Sequence, residues 1–486
     1  MSVLIDTNGR GDRNSAARGR RPRPSRAAVR HGAVAVASSA QYFDANPPRY
    51  GIGFALFLLV NLVLFVRPAE FVDGLEDLPI YEVAICACLV ASLAVVVRQL
   101  TLQSLAASPA TVFLLGFFAA IVAASLVHHD LWTARIQGFS FMKLVAYDLL
   151  AIGLINSLTR LRAFTLFLFV AVLITAILVL LEYYGVINIQ SMMPMQEGFS
   201  GDDGIDQTIG RVRGLGIFND PNDLSLILVV ATIIGLHFLT ESRNWIRRIA
   251  WAIPIGLILW AFELTRSRGG FLALIAAVGT MLITRLGWKR GLIVAALGCP
   301  LLIPFMDARQ TSINLGDAND TAQGRMQIWR DAMICFHHEP ILGLGVTHLV
   351  EEAGHVAHNS YVQAYAETGF IGGTMFFGAI CVPILMLRQV GRRTPPSFGK
   401  EILRWNSSIL AMCVGYAVGM FSLSRNFTIP AYLPSAIAVA YCGLITARYP
   451  AALSYRMNWP LFRNVVAASV GCVVLLEVWC RFFIRG

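Results

Sequence analysis

Thirteen long apolar runs, near 51–67, 79–97, 109–127, 139–156, 163–185, 223–240, 249–264, 270–284, 290–305, 369–387, 405–423, 430–447 and 464–483, dominate this chain. A bilayer crossing needs roughly 20 apolar residues. Lipid offers no partner to backbone N–H and C=O groups, so such runs must fold as helices that satisfy themselves. Of the 486 residues, 56% are apolar and only 14% charged. Those proportions exclude a string of soluble domains. The expected fold is all-α, a polytopic membrane protein of about 12–13 transmembrane helices. The runs at 139–156, 270–284 and 290–305 are short or interrupted.

The formal net charge is +10, and its distribution says more than its size. The basic residues sit between apolar runs at the spacing of membrane loops, which argues against nucleic acid as a partner. With the N-terminus in the cytoplasm, alternate loops carry Arg98, then Arg160 and Arg162, then Arg243, Arg247 and Arg248. The pattern continues with Arg285, Lys289 and Arg290, then Arg388 to Arg404, then Arg448, Arg456 and Arg463. The first loop on the other side carries Glu70, Asp73, Glu76 and Asp77 instead. This is the positive-inside pattern, and one missed span would reverse it downstream. Residues 1–48 hold eight arginines among Ser, Ala, Gly and Pro, with no apolar periodicity to fold on. They read as a disordered basic cytoplasmic tail rather than a cleaved signal, suited to anionic lipid head groups. Residues 49–486 form the transmembrane domain. Of nine cysteines only Cys335 lies clearly in a polar loop, which argues against a disulfide framework.

Two outward segments, 186–222 and 306–360, exceed the usual connection length, and loops of that length tend to carry function. Basic residues on the outward face are few: Arg211 and Arg213 in GRVRGLGIFNDPND, Arg266 and Arg268 in LTRSRGGFLAL, Arg325 and Arg330 in the long loop, and Arg425 in SRNF. Charge beside the hydrocarbon is costly and is often functional. The planar guanidinium donates two parallel hydrogen bonds and stays ionised, which suits phosphate. The bland alternative is snorkelling to the interface, or pairing with Asp202, Asp203, Asp206 or Asp220. Arg268 stands out because its turn is tight and Gly269 and Gly270 permit close backbone approach.

The stretch 321–373 holds five of the nine histidines: His337, His338, His348, His355 and His358. Met326, Trp329, Met333 and Phe336 recur at helical spacing, predicting an amphipathic helix over 325–336. His358 opens HNSYVQAYAETG, a helix start whose free N–H groups suit an anion and which Gly369 can close. A histidine there is a candidate general base or phosphate donor, against the plainer reading of a polar surface residue. His348, His355 and His358 form no His-Glu-x-x-His pattern, so no metal is expected. Gly-Leu-Gly at 214–216 and 343–345 reads as turn geometry. Glu263 and Glu367 are acids near the same face, with Glu263 able to pair with Arg266 or Arg268.

In order and spacing, GRVRGLGIFNDPND, SRGGFLAL, the Gly-Arg and Trp of the long loop, GLG and HNSYVQAYAETGFIGG resemble the O-antigen ligase and polymerase superfamily over roughly 200–380. The resemblance implies a bacterial inner-membrane glycosyltransferase with its active site on a long periplasmic loop. The donor it implies is a glycan on undecaprenyl diphosphate; the acceptor hydroxyl belongs to lipid A core, for a ligase, or to another lipid-linked glycan, for a polymerase. It implies no cofactor and a metal-independent, inverting transfer. His358 matches the family histidine and is the expected catalytic residue. Arg211 or Arg213, Arg268 and Arg325 match the arginines expected to bind the diphosphate. The arginine-rich tail and the last apolar run depart from the family pattern.

Two other classes compete. A flippase for the same lipid-linked glycan would carry charge through several spans, whereas most span interiors here lack ionisable groups, Asp148 being the main exception. A membrane scaffold would not need converging arginines and a histidine.

Overall fold

The computed structural model describes residues 50–70, 74, 78–200, 206–302, 321–395 and 399–483. The basic tail expected over 1–48, residues 201–205 and residues 306–320 of the long loop lie outside the described residues.

All thirteen apolar runs are helical among the described residues. In chain order the seventeen helices among the described residues are α1 (Gly51–Phe65), α2 (Ile80–Ala91), α3 (Leu93–Gln99), α4 (Leu102–Ala107), α5 (Pro109–Val127), α6 (Leu131–Leu154), α7 (Leu158–Tyr183), α8 (Pro221–Glu241) and α9 (Trp245–Leu264). Then follow α10 (Arg268–Leu286), α11 (Trp288–Leu302), α12 (Thr321–His338), α13 (His348–Ala353), α14 (Ser360–Arg393), α15 (Lys400–Gly419), α16 (Ile429–Arg448) and α17 (Trp459–Phe483). The protein is an all-α polytopic membrane protein. Among the described residues, nine helices are long and apolar enough to cross a membrane, and the pair α2–α3, bent by 75°, makes a tenth. The other three expected spans fall short for visible reasons. Helices α1 and α11 have 15 residues each. Helix α15 has 20 but opens with Lys400, Glu401 and Arg404 and buries Asn406, Ser407 and Ser408.

Local chemistry sets the helix starts. Asp130, Ser157, Asp220, Asn244, Ser267 and Asn359 each cap a helix by accepting from a backbone amide two or three residues on. Pro221 and Pro430 follow caps at positions where a missing N–H costs nothing.

Helix α8 is the centre of the bundle: 83% of its apolar window is buried, against 22% for α9 and for α17. Apolar burial drives little of the association between spans, so close contact has to come from shape. Gly415 of α15 lies where a Cβ would come within 2.7 Å of the Ala277 Cβ on α10. Phe117, Phe141, Phe376 and Tyr432 bind α5, α6, α14 and α16 through tilted and edge-on ring contacts.

The long loop docks on a break in α14. Gly369 has φ 63° and ψ −168°, a conformation close to glycine-only. The strap 339–345 lies against this break, with Phe370 N donating to Pro340 O at 2.8 Å and Leu344 N to Ala366 O at 3.0 Å. A Cβ at Gly369 would meet Ile341 backbone at 2.3 Å, and one at Gly343 would meet Glu367 backbone at 2.5 Å. Gly369 therefore ends one helix and opens the next within 360–393, the helix end that the sequence pattern suggests. The expected amphipathic helix is α12, with Met326, Met333 and Phe336 buried and Trp329 Nε1 donating to Ala357 O at 2.9 Å.

One two-stranded sheet is present among the described residues. Strands β1 (Met195–Ser200) and β2 (Asp206–Arg211) pair antiparallel, Met195 opposite Arg211.

Candidate active site

Helices α8, α10, α14 and α16 begin at one end of the bundle, and the residues at their starts are bonded to one another. Asp220 caps α8, accepting from Asn222 N at 2.7 Å. Asn222 Oδ1 accepts from two directions: Ser267 Oγ, which caps α10, at 2.7 Å, and Arg211 Nη2 at 3.0 Å. Asp223, one residue further, pairs with Arg425 Nε and Nη2, both at 2.6 Å. The Arg425 amide donates to Ser360 Oγ at 3.0 Å, and Ser360 Oγ donates to Leu423 O at 2.6 Å. Four segments spread over more than 200 residues are thus tied at their tips. Each helix start contributes the positive end of its dipole there.

Close packing keeps them together. A Cβ at Gly269 would fall on Ser422 Oγ, and one at Gly270 would lie 2.3 Å from Ser225 Oγ. Both glycines read from the sequence as permitting close approach do so, toward α8 and toward the turn after α15.

The candidate residues separate into two kinds. Arg211 is buried and spent on the protein: Nε donates to Thr265 O at 3.0 Å, Nη1 to Glu197 Oε2 at 2.6 Å and Nη2 to Asn222 Oδ1. It fastens the β-hairpin to the starts of α8 and α10. Arg213 is half-buried and its Nε holds Met193 O at 2.8 Å. Arg268 is the first residue of α10, and Arg325 lies in the first two turns of α12; both are half-buried.

His358 precedes the Asn359 cap of α14 in a left-handed conformation, φ 47°. Such a backbone is uncommon outside glycine and recurs at functional sites. Its ring is half-buried. Burial holds its pKa below the ordinary 6.5; Arg325 adds to this, as do Arg425 and His355, while Asp220 opposes. His358 is thus within electrostatic reach of Arg325, Arg425 and Asp220, from three separate loops. At neutral pH the imidazole is uncharged and able to accept a proton. Burial disfavours charge on Arg425, but Asp223 outweighs it and keeps the guanidinium firmly ionised.

Of the other loop histidines, His348 lies apart. His348 Nε2 is 3.8 Å from Asp130 Oδ2, and its ring centre is 6.5 Å from that of His128, which bonds Gly343 O at 2.8 Å. Among the described residues no three His, Cys, Asp or Glu side chains are grouped to hold a metal ion.

Residues 253–377 match the family model for O-antigen ligase. Over that stretch the chain is similar to the O-antigen ligase family. The matched stretch runs from within α9 to within α14 and contains Arg268, Arg325 and His358. Arg211, Arg213, Asp223 and Arg425 fall outside it, although Arg211 and Asp223 are bonded into the same end of the bundle. No curated protein matches the chain. The match implies a glycosyltransferase-like enzyme, an integral membrane protein acting on lipid-linked glycans. Sequence reasoning singled out Arg268, Arg325 and His358 for this ligase-type site. It did not find the ties through Asn222, Asp223, Ser267 and Ser360. The only sequence signal for these was their cap spacing, which says where a helix starts and not which helix it meets.

Proposed function

We propose that this protein is an O-antigen ligase-like glycosyltransferase. It moves a glycan from undecaprenyl diphosphate to an acceptor hydroxyl at the periplasmic face of the bacterial inner membrane. Its N-terminus is cytoplasmic. The observation that carries this reading is the gathering of Arg268, Arg325, Arg425 and His358 around four helix starts. A diphosphate is the anion best matched by several guanidinium groups and by helix dipoles.

In the reaction, the acceptor oxygen attacks the anomeric carbon. The bond from that carbon to the diphosphate oxygen breaks, and the polyprenyl diphosphate leaves with the electron pair. Direct displacement inverts the anomeric centre. Arg268 and Arg325 bind the diphosphate and offset the charge that develops on it, which is electrostatic stabilisation needing no metal. His358, uncharged at neutral pH, takes the hydroxyl proton. Arg211 supports the reading indirectly, by fixing Asn222 and hence the starts of α8 and α10. The membrane holds the polyprenyl tail, which fixes the orientation of the donor.

The test is gene replacement in the native host with wild type, His358→Ala and Arg268→Ala, reading surface glycan by gel electrophoresis. Accumulated lipid-linked glycan with unmodified lipid A core is the expected result. Accumulated single repeat units would instead make the enzyme a polymerase of lipid-linked repeats. Normal glycan from both variants at normal protein level would sink the site and return the flippase reading.

A further inference from the structure

A second feature lies beside the cationic set and has the opposite chemistry. A cavity of about 500 Å³ is lined by Gln137, Thr347, Glu351, Gln363, Glu367 and Phe427, with three valines. That volume is in the range of small-molecule sites, roughly 300–1,000 Å³. Its lining contains no Lys, Arg or His.

Two of its polar groups are deeply buried and only partly used. Gln363 is 7% exposed and Glu367 1% exposed. Gln363 Nε2 donates to Glu367 Oε1 at 3.0 Å, which orients the amide, since the reverse orientation would set oxygen against carboxylate. Gln363 Oε1 and Glu367 Oε2 are then buried with no hydrogen-bond partner. Buried acceptors left unmatched cost free energy, and a ligand that donates to them recovers it. With two acidic side chains, Glu351 and Glu367, and no cation in the lining, the cavity has nothing to hold a phosphate. The chemistry left is a neutral group rich in O–H donors, with the Phe427 ring offering an apolar face.

The cavity is lined from the chain segments that carry two residues of the candidate active site. Val356, which lines it, is two residues before His358, and Phe427 is two residues after Arg425. We propose that this cavity holds a neutral, hydroxyl-bearing sugar residue of the acceptor, beside the cations that take the diphosphate. Gln363 Oε1 and Glu367 Oε2 accept hydrogen bonds from its hydroxyls. The assignment rests on the transfer reading above. It also supplies selectivity, because a site built to bond a hydroxyl strongly rejects a sugar lacking it.

The test uses the full chain in nanodiscs, with lipid-linked glycan as donor and the host's acceptor. Two variants probe the cavity. Glu367→Gln presents an N–H donor where an acceptor stood. Val350→Trp narrows the cavity from a position already 42% exposed, so the bundle core is untouched. Each is expected to raise acceptor KM about tenfold or more. Donor KM and binding of inorganic diphosphate stay as in wild type. Unchanged acceptor KM in both folded variants overturns the assignment. Lost diphosphate binding also overturns it, giving the cavity to the donor's charged end. If wild type transfers nothing, the transfer reading itself has failed. Equilibrium binding of the free oligosaccharide, released from its carrier by mild acid, then tests the cavity alone. About tenfold weaker binding to Val350→Trp supports a sugar site, and equal binding removes it.

Discussion

Asp223 and Arg425, 202 residues apart, meet through two 2.6 Å contacts at the end of the bundle where α8 begins. The Asp223 side chain is 7% exposed and that of Arg425 37%. Breaking a buried pair by removing one partner costs about 3–5 kcal/mol, because the other charge is stranded. Arg425 is partly wet, so Arg425→Ala should cost about 3 kcal/mol, the low end of that range. Removing the carboxylate as well, in Arg425→Ala with Asp223→Asn, should recover part of the loss. Thermal unfolding in detergent measures both. Additive losses in the double variant would mean that the two side chains do not depend on each other.

The break at Gly369 makes a second prediction. An added Cβ has no room, 2.3 Å from Ile341 backbone, and the backbone conformation is nearly closed to other residues. Gly369→Ala should cost about 3 kcal/mol or more and detach the strap 339–345. Gly443→Ala, in α16 with nothing within 4 Å of its Cβ, is the control and should be near neutral. Folded yield by size exclusion and protease sensitivity of the long loop report the difference. Wild-type behaviour of Gly369→Ala would refute the docking of the loop on α14.

The fold was legible because one physical rule governs it. Runs of twenty apolar residues in lipid have no choice but helix, and all thirteen appear as helices. The span count was less legible, since α1, α11 and the bent α2–α3 pair are too short or too broken to count by length alone. Of the site, chemistry was readable and wiring was not. His358, Arg268 and Arg325 are conspicuous as polar groups in short or long outward loops. The role of Arg211 was hidden, because nothing local says that Thr265, Glu197 and Asn222 will surround it. Gly369 was rightly marked as a break, but the strap that packs against it, through Ile341, is brought there by the fold.

Arg211 and Arg268 should accordingly fail in different ways. Arg211→Ala removes three hydrogen bonds from a buried junction, which should lower stability by several kcal/mol at about 1 to 3 each. What folds should still turn over. Arg268→Ala should fold normally and lose about 10²–10³-fold in kcat, the cost of removing one group that stabilises developing charge. Arg268→Lys should recover only part of this, since an ammonium cannot reproduce the bidentate fork. Paired unfolding and turnover measurements decide. Unchanged stability with lost turnover in Arg211→Ala would move it from support to substrate contact.

The pH profile separates the two roles open to His358. Its pKa lies below the ordinary 6.5, through burial first and then the nearby Arg325. A lowered pKa keeps the imidazole neutral at pH 7 and delays protonation until the pH falls below 6.5. As a general base, His358 then gives a rate that is level above neutrality and drops as the pH falls through this depressed value. As a cationic phosphate donor it would give the reverse, a rate rising toward acid. Arg325→Gln removes a positive neighbour, so the pKa of His358 should rise and the acidic limb should move to higher pH, whatever happens to the maximal rate. His358→Ala should lose about 10²–10⁴-fold in rate and flatten the limb. An acidic limb that stays put in Arg325→Gln would mean that the histidine and the arginine do not sense each other in the working enzyme.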